Sequence, residues 1–322
     1  MKSQIITLKS EIYSTPRRLL YKIDGVFETI LRLLGVFVGG VRFVVTGKGS
    51  DTFTNMYNRI HNNGIIKKYL KKDKFDFNGL YFPGFRNNKA YQGGLVSMSY
   101  NDILLPHIVS KGKYNSKIVK RLQYIGDGPY MYQDDTVDFM IKKGDVVIDA
   151  GAWIGCFSVV ASSFGAISYA FEPAKETFEH LKETAQLNSS LPGKIIPINK
   201  GVGDKKEKIG FEDGLDGNGG NKINTKITDN MIELISIDEF VKENNIPKID
   251  FIKSDIEGYE RQLLEGAKDS IKKYSPKLSI STYHFSDDPE VLEKMILKIN
   301  HKYNIIHMHK KLFAYIPGKH TK

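Results

Sequence analysis

From residue 146 onward, short apolar runs alternate with stretches whose apolar residues recur at helical spacing. Val146, Val147 and Ile148 form an uninterrupted apolar run, the pattern of a central parallel strand covered on both faces. The run ends on Asp149 and breaks into Gly151 and Gly155. Cys156, Phe157, Val159, Val160 and Phe164 then predict a buried helix that stops at Gly165, a suitable C′ residue. Residues 167–171 predict a second strand, and Ala174, Phe178, Leu181 and Ala185 mark one face of the next helix. A third strand over 194–198 runs into a turn at 199–204 that is placed to line a pocket. Residues 232–237 predict another strand, with Asp238 as N-cap of a helix over 239–244. Ile249, Phe251 and Ile252 predict the next strand, and a helix from Gly258 buries Leu263, Leu264, Ala267 and Ile271. After a strand at 277–281, Pro289 sits at N1 of a helix that turns Leu292, Met295, Ile296 and Ile299 inward. Residues 303–307 and 312–316 close the chain as an antiparallel pair. This alternation implies an α/β fold: a doubly wound, mostly parallel sheet with a C-terminal antiparallel hairpin. Such sheets bind ligands at the carboxyl ends of their strands.

The first third reads differently. Leu20, Ile23, Val26, Phe27, Ile30, Leu33 and Leu34 recur at helical spacing among Arg17, Arg18, Lys22 and Arg32. The apolar stretch 33–45 holds thirteen residues and is interrupted by Arg42, whereas a membrane-spanning helix needs about 20. Residues 17–45 therefore predict a helix docked on the core or on a partner subunit, with a basic helix on a membrane surface as the alternative. The extreme N-terminus lacks a secretory pattern. A polar, Lys-rich helix is expected over 53–75, turns and short strands over 75–100, a helix within 101–121 and a short helix at 137–141. The boundary is placed near 125, separating a mainly helical accessory region (1–124) from the α/β domain (125–322). Residues 213–230 are rich in Gly and Asn, as in a mobile loop over a substrate site or a disordered one.

Composition narrows this only in part. At 322 residues, 41% hydrophobic and 26% charged, the chain is an ordinary globular protein. The single cysteine, Cys156, excludes an internal disulfide and any multi-cysteine metal site. It suits a reducing, cytoplasmic setting and a packing role. The 47 basic and 37 acidic residues leave a net charge of +10, and residues 1–50 hold eight Lys/Arg against three Asp/Glu. That excess suits an anionic membrane face, a nucleic acid or a charged glycan, and selects none of them.

The spacing Asp149-x-Gly151-x-x-x-Gly155 is neither the dinucleotide fingerprint nor a phosphate loop. An acid at the strand end suits a cationic, phosphate-free ligand, which describes S-adenosylmethionine. Glu172, seventeen residues after Gly155, ends the second strand, where a carboxylate takes ribose hydroxyls. Strand exits thus bring Asp149, Glu172, Asp255 with Glu257, and His284 to one edge of the sheet. Methyl transfer needs alignment of nucleophile, carbon and leaving group, and a hydroxyl acceptor needs a base. His284 is the natural base, its ordinary pKa being near 6.5, with Asp255 as its competitor. Asp255, Glu257 and His284 could together hold a divalent cation. Carboxylates capping the helix after Gly258 are favoured instead, so no metal is expected.

Five segments carry a family resemblance: DVVIDAGAWIGCFS, FEP at 171–173, NKGVGD, SIDEF at 236–240 and DFIKSDIEGYERQLLEGA. Through them residues 125–317 resemble the FkbM-type methyltransferases of the class I S-adenosylmethionine-dependent fold. The most specific piece is Lys253, Asp255, Glu257, Gly258 and Glu260. The resemblance implies a seven-stranded sheet and O-methylation, often of a sugar hydroxyl in a glycan, lipid-linked saccharide or natural product. The resemblance suggests Asp149, Gly151, Gly155 and Glu172 as cofactor contacts and Asp255 with Glu257 in or near the active site; with their neighbours and the pocket turn, Ala152, Phe157, Pro173, Gly201, Val202 and Asp255 are also expected cofactor contacts, and Asp255, Glu257 and His284 the catalytic residues. The family often carries an acid just before the final His, whereas Ser281, Thr282 and Tyr283 precede His284 here. About the first 120 residues resemble no recognisable family. A nucleic-acid methyltransferase would use the basic charge, but Ser-Asp-Ile-Glu at 254–257 is not its Asn/Asp-Pro-Pro-aromatic exit, and carboxylates repel a phosphate backbone. A nicotinamide oxidoreductase is disfavoured by the Gly spacing. A cofactor-binding module without catalysis is the remaining rival.

Overall fold

The computed structural model describes residues 70–98 and 129–320, apart from 72, 78, 132, 134–136, 213–221, 224–228 and 309. A small antiparallel sheet comes first: β1 (Leu70–Lys71), β2 (Lys74–Asp76) and β3 (Tyr81–Pro83). A 3₁₀ turn (Phe85–Asn87) leads to α1 (Lys89–Met98). The alternating part opens with β4 (Val146–Ala150), α2 (Cys156–Ser163), β5 (Ile167–Phe171), α3 (Lys175–Leu187) and β6 (Lys194–Ile198). Short strands follow: β7 (Gly201–Gly203), β8 (Glu207–Glu212), β9 (Lys222–Ile223) and β10 (Met231–Ser236). Then come α4 (Ile237–Glu243), β11 (Phe251–Ser254), α5 (Glu260–Gly266), α6 (Lys268–Tyr274), β12 (Lys277–Ser281), α7 (Asp288–Ile299), β13 (Asn304–Met308) and β14 (Lys311–Tyr315).

Seven strands form the central sheet in the order β13-β14-β12-β11-β4-β5-β6. The five from β12 to β6 run parallel, and β14 is antiparallel to both β12 and β13. This is the doubly wound class I methyltransferase arrangement with its terminal hairpin. Every residue of β4 is buried, as its unbroken apolar run requires. Strand order reverses between β4 and β11, so the crevice at their carboxyl ends is the topological switch point.

Two apolar layers cover the sheet. One face packs Val147, Phe157, Val159, Phe251 and Phe313 in a single cluster with Phe75, Phe82, Tyr91 and Leu95. The segment before the family-like region therefore shares the core of the sheet. Asn188 ties the two together, donating from Nδ2 to the Tyr81 carbonyl at 2.6 Å and accepting from its N–H at 3.0 Å. The other face packs Ile148, Ile252, Leu263, Ile271, Leu278 and Leu292.

Several local expectations are corrected. The end of the expected 53–75 helix is strand, because Leu70 and Phe75 pair across an antiparallel ladder. Residues 75–100 include the ten-residue helix α1 besides short strands. Val137 and Asp138 lie in extended backbone, Asp138 bridging antiparallel to Gln133, where a helix is expected. Residues 201–203 are strand, not turn: β7 pairs parallel with β10 in a second sheet of order β7-β10-β8-β9. The cap of α4 is Ser236, in a capping box with Glu239. Asp238 instead accepts from the N–H groups of Asp269 (3.0 Å) and Ser270 (2.8 Å) at the start of α6. The helices expected at 17–45 and 101–121 lie outside the described residues, as does most of the 213–230 loop. Among the described residues no helix is long and apolar enough to cross a membrane.

Candidate active site

The loop after β4 holds three left-handed residues: Gly151 (φ 73°), Trp153 (φ 50°) and Gly155 (φ 91°). At Gly151 the glycine is obligatory, since a Cβ there would overlap the backbone carbonyl oxygen of Asp255. Its absence lets the loops that follow β4 and β11 pack backbone against backbone. Trp153 stacks on Tyr91 of α1 with ring centroids 6.0 Å apart.

Beneath this loop lies a buried polar cluster. Asp149 is fully buried. Its Oδ2 accepts from Ser158 Oγ at 2.6 Å, and its Oδ1 lies 3.1 Å from Lys253 Nζ. Lys253 stands directly opposite Asp149 in the β11–β4 register. The same ammonium donates to the carbonyls of Gly151 (2.5 Å) and Ala150 (3.3 Å). Asp149 thus anchors the lysine that staples the loop.

Above the cluster opens a cavity of about 190 Å³. Gly151, Ala152, Trp153, Cys156 and Phe157 form one side, with Phe171, Glu172, Pro173, Gly201 and Val202 beside them. The second sheet gives an apolar wall of Phe211, Ile223, Ile232 and Leu234. The far end holds Tyr130, Lys253, Asp255, Ile256, Glu257, Tyr259 and Tyr283. Of the residues expected from sequence, Asp149, Gly155 and His284 stand behind this lining.

Glu172 accepts from the N–H groups of Trp153 (3.1 Å) and Ala174 (2.9 Å). Burial outweighs those amides and the nearby Lys253, lifting its pKa from 4.5 to about 8. Asp255 responds oppositely. Burial pushes its pKa up, but Lys253, Lys311, the Tyr130 hydroxyl and His284 together hold it below the ordinary carboxylate value. Tyr130 donates to its Oδ2 at 2.5 Å and Tyr283 to its Oδ1 at 3.0 Å. At His284 burial lowers the pKa, and the carboxylates of Glu260, Asp255 and Glu257 overcome it, so the net shift is upward.

Sequence reasoning missed Tyr130, Trp153 and the apolar wall as lining, and placed Tyr283 only at the strand exit. Tyr130 lies in a stretch with no periodic pattern, so it carried no local signal. Lys253 did carry one, within the Lys-x-Asp-x-Glu-Gly piece. Cys156 is buried, as a packing role requires, and also touches the cavity. The donor set suits a cationic ligand: among the described residues the carboxylates of Asp255 and Glu257 and the carboxyl group of Glu172 face the cavity with one ammonium, Lys253, which is already paired with Asp149.

Residues 148–312 match the Methyltransferase FkbM domain. The hexuronic acid methyltransferase AglP of Haloferax volcanii is 29% identical over 168 residues, spanning 51% of this chain and 67% of that protein. Among solved structures, methyltransferase FkbM from Methylobacillus flagellatus is similar at 18% identity and a TM-score of 0.45. That alignment covers 83% of this chain and 60% of the other, so this chain spans less than two thirds of its length. Fibrillarin from Aeropyrum pernix, solved with bound S-adenosyl-L-methionine, is similar at 12% identity and a TM-score of 0.34, covering 54% of this chain and 67% of its own.

Proposed function

This chain belongs to the FkbM methyltransferase family, and from that membership we propose that it transfers a methyl group from S-adenosylmethionine to a hydroxyl oxygen of a sugar. The acceptor is a sugar of a glycan, a lipid-linked saccharide or a natural product. The observation that carries the reading is the acid-rich cavity joining Glu172 to Asp255. AglP, by its name a hexuronic acid methyltransferase, supports the sugar class.

Bound S-adenosylmethionine supplies an electrophilic methyl carbon on a sulfonium. Glu172, ending β5, is placed to accept from ribose hydroxyls, and Phe211, Ile223, Ile232 and Leu234 offer the adenine an apolar wall. Asp255 binds the acceptor hydroxyl and takes its proton. A carboxylate with a depressed pKa is a weak base, but it suffices here: as the oxygen–carbon bond forms, the hydroxyl becomes strongly acidic. Tyr130 and Tyr283 fix the orientation of Asp255, so the geometric part of the rate enhancement rests on them. His284 faces three carboxylates, an environment that draws positive charge to this place, whether the ring's own proton or a bound ion, and the ring is not assigned as the base. Residues 125–322 form the catalytic unit, and the preceding region supports it through Tyr91 against Trp153.

The test is incubation with methyl-labelled S-adenosylmethionine and uronic-acid oligosaccharides, followed by NMR of the product. A new O-methyl sugar signal supports the reading. Cofactor binding without transfer to any saccharide overturns it.

A further inference from the structure

Three carboxylates converge on one imidazole beside the cavity. Nε2 of His284 lies 3.6 Å from Oδ1 of Asp255 and 3.6 Å from Oε2 of Glu257. Its Nδ1 lies 3.3 Å from Oε1 of Glu260. The side chain is 8% exposed, yet neither ring nitrogen makes a well-aligned hydrogen bond, and Nε2 has no partner nearer than the two carboxylates at 3.6 Å. Buried imidazoles normally hydrogen-bond through their nitrogens, so an imidazole held in this way beside three acids calls for a cation among them.

We propose that Asp255, Glu257 and Nε2 of His284 form a site for a divalent cation of the magnesium or manganese class. Two ligands about 2.1 Å from a common centre lie roughly 3.0 Å apart at octahedral angles and about 3.5 Å at slightly over tetrahedral ones. The two 3.6 Å separations therefore need to close by about 0.6 Å to reach octahedral angles. Oxygen and imidazole ligands suit these ions. Among the described residues, the acids and imidazole whose ligand atoms all lie within 4.8 Å of one another are Asp255, Glu260 and His284; Glu260 faces Nδ1, and one ion takes one nitrogen of the ring, so Glu257 must swing toward Asp255 to complete the set at Nε2.

Glu260 therefore supports the site from behind. The N–H groups of Ile256 (2.9 Å) and Gly258 (3.1 Å) hold its carboxylate. From there it can accept from Nδ1–H, leaving the Nε2 lone pair toward Asp255 and Glu257, the carboxylate–histidine–metal arrangement of many metal sites. Glu257 is held at φ 54°, a conformation that persists for a non-glycine residue only where its surroundings impose it. Asp255 and Glu257 both line the cavity, so the remaining coordination positions face the acceptor. Vicinal sugar hydroxyls are ligands of the right hardness. That last step rests on the sugar-acceptor reading; ion binding itself does not. Lys253 and Lys311 act on Asp255 from the other side and weaken the site, consistent with an ion completed by substrate oxygens.

The full chain, freed of metal by chelation, is titrated with Mn²⁺ while the signal of free Mn²⁺ is followed by electron paramagnetic resonance. One site per chain is expected, displaced by Mg²⁺. His284→Ala and Glu257→Gln should each weaken it more than tenfold, and Glu260→Gln about 10- to 100-fold. Glu257 is partly exposed, at 27%, so its variant keeps the test open if the others fail to fold by circular dichroism. His307→Ala, which breaks an exposed His–Glu pair elsewhere, should leave binding unchanged. No Mn²⁺ binding at millimolar concentration, or equal binding in wild type and Glu257→Gln, overturns the site. Mn²⁺ bound at this site without methylation of any sugar would leave the site standing and sink the acceptor reading.

Discussion

Glu172 offers a test that needs no substrate. Its pKa rises from 4.5 to about 8 in the folded protein, with burial as the main cause. The folded state therefore holds a proton between those values that the unfolded chain has released. Where the native state binds more protons, stability falls as pH rises. The contribution is full below pH 4.5 and lost by about pH 8. At about 1.36 kcal/mol per pKa unit the whole span is roughly 5 kcal/mol, a large share of the stability of a typical domain. Glu172→Gln mimics the protonated acid and removes the linkage. Urea denaturation of both proteins at pH 4, 7 and 8.5, without cofactor, should give similar stabilities at the lowest pH. The variant should then become progressively more stable, by several kcal/mol at pH 8.5. Parallel pH dependences would refute the assignment. The same carboxylate is proposed to take the ribose hydroxyls. Affinity for S-adenosylmethionine should thus rise with pH toward 8 in the wild type, and stay low and flat in the variant.

Asp255→Asn should lower the methyl-transfer rate by about 10²- to 10⁴-fold while isothermal titration finds cofactor affinity little changed. Because Lys253, Lys311 and Tyr130 hold the Asp255 pKa down, the wild-type rate should lose activity in acid only below the ordinary carboxylate range. A pH–rate profile falling already at pH 6 through this group would contradict that. Lys253→Met strands the buried carboxylate of Asp149 and should destabilise the fold by about 3–5 kcal/mol; a Tm within a degree of wild type would show that the pair is not what fastens the loop. Gly151→Ala places a Cβ on the Asp255 carbonyl at φ 73°, which should produce insoluble or strongly destabilised protein, checked by expression and thermal melts.

The central sheet was legible because its strands are unbroken apolar runs and its helices keep one apolar face. The second sheet was not. β7 is only Gly201–Gly203, which reads locally as a turn, and it becomes a strand by pairing with β10 some thirty residues later. The cap of α4 was a choice between two nearby residues. Ser236, three before Glu239, completes a capping box, whereas Asp238 serves a helix start thirty residues on. Asp149 shows the deeper limit. Sequence places an acid at the strand end but not the side to which its carboxylate turns, and the register puts Lys253 directly beside it. Charge pairing across neighbouring strands makes Asp149 a support for the loop as well as the ligand contact expected of it. Tyr130 reaches Asp255 across 125 positions of chain, a contact no local pattern encodes.

The most direct measurement is single-turnover transfer from ¹³C-methyl S-adenosylmethionine to a uronic-acid glycan, comparing wild type with Asp255→Asn. A ¹³C signal at the O-methyl shift of the sugar, forming in the wild type and slowed at least about a hundredfold in the variant, is the expected result. Label on nitrogen, on RNA, or on the sugar at the same rate in both proteins would contradict the role given to Asp255.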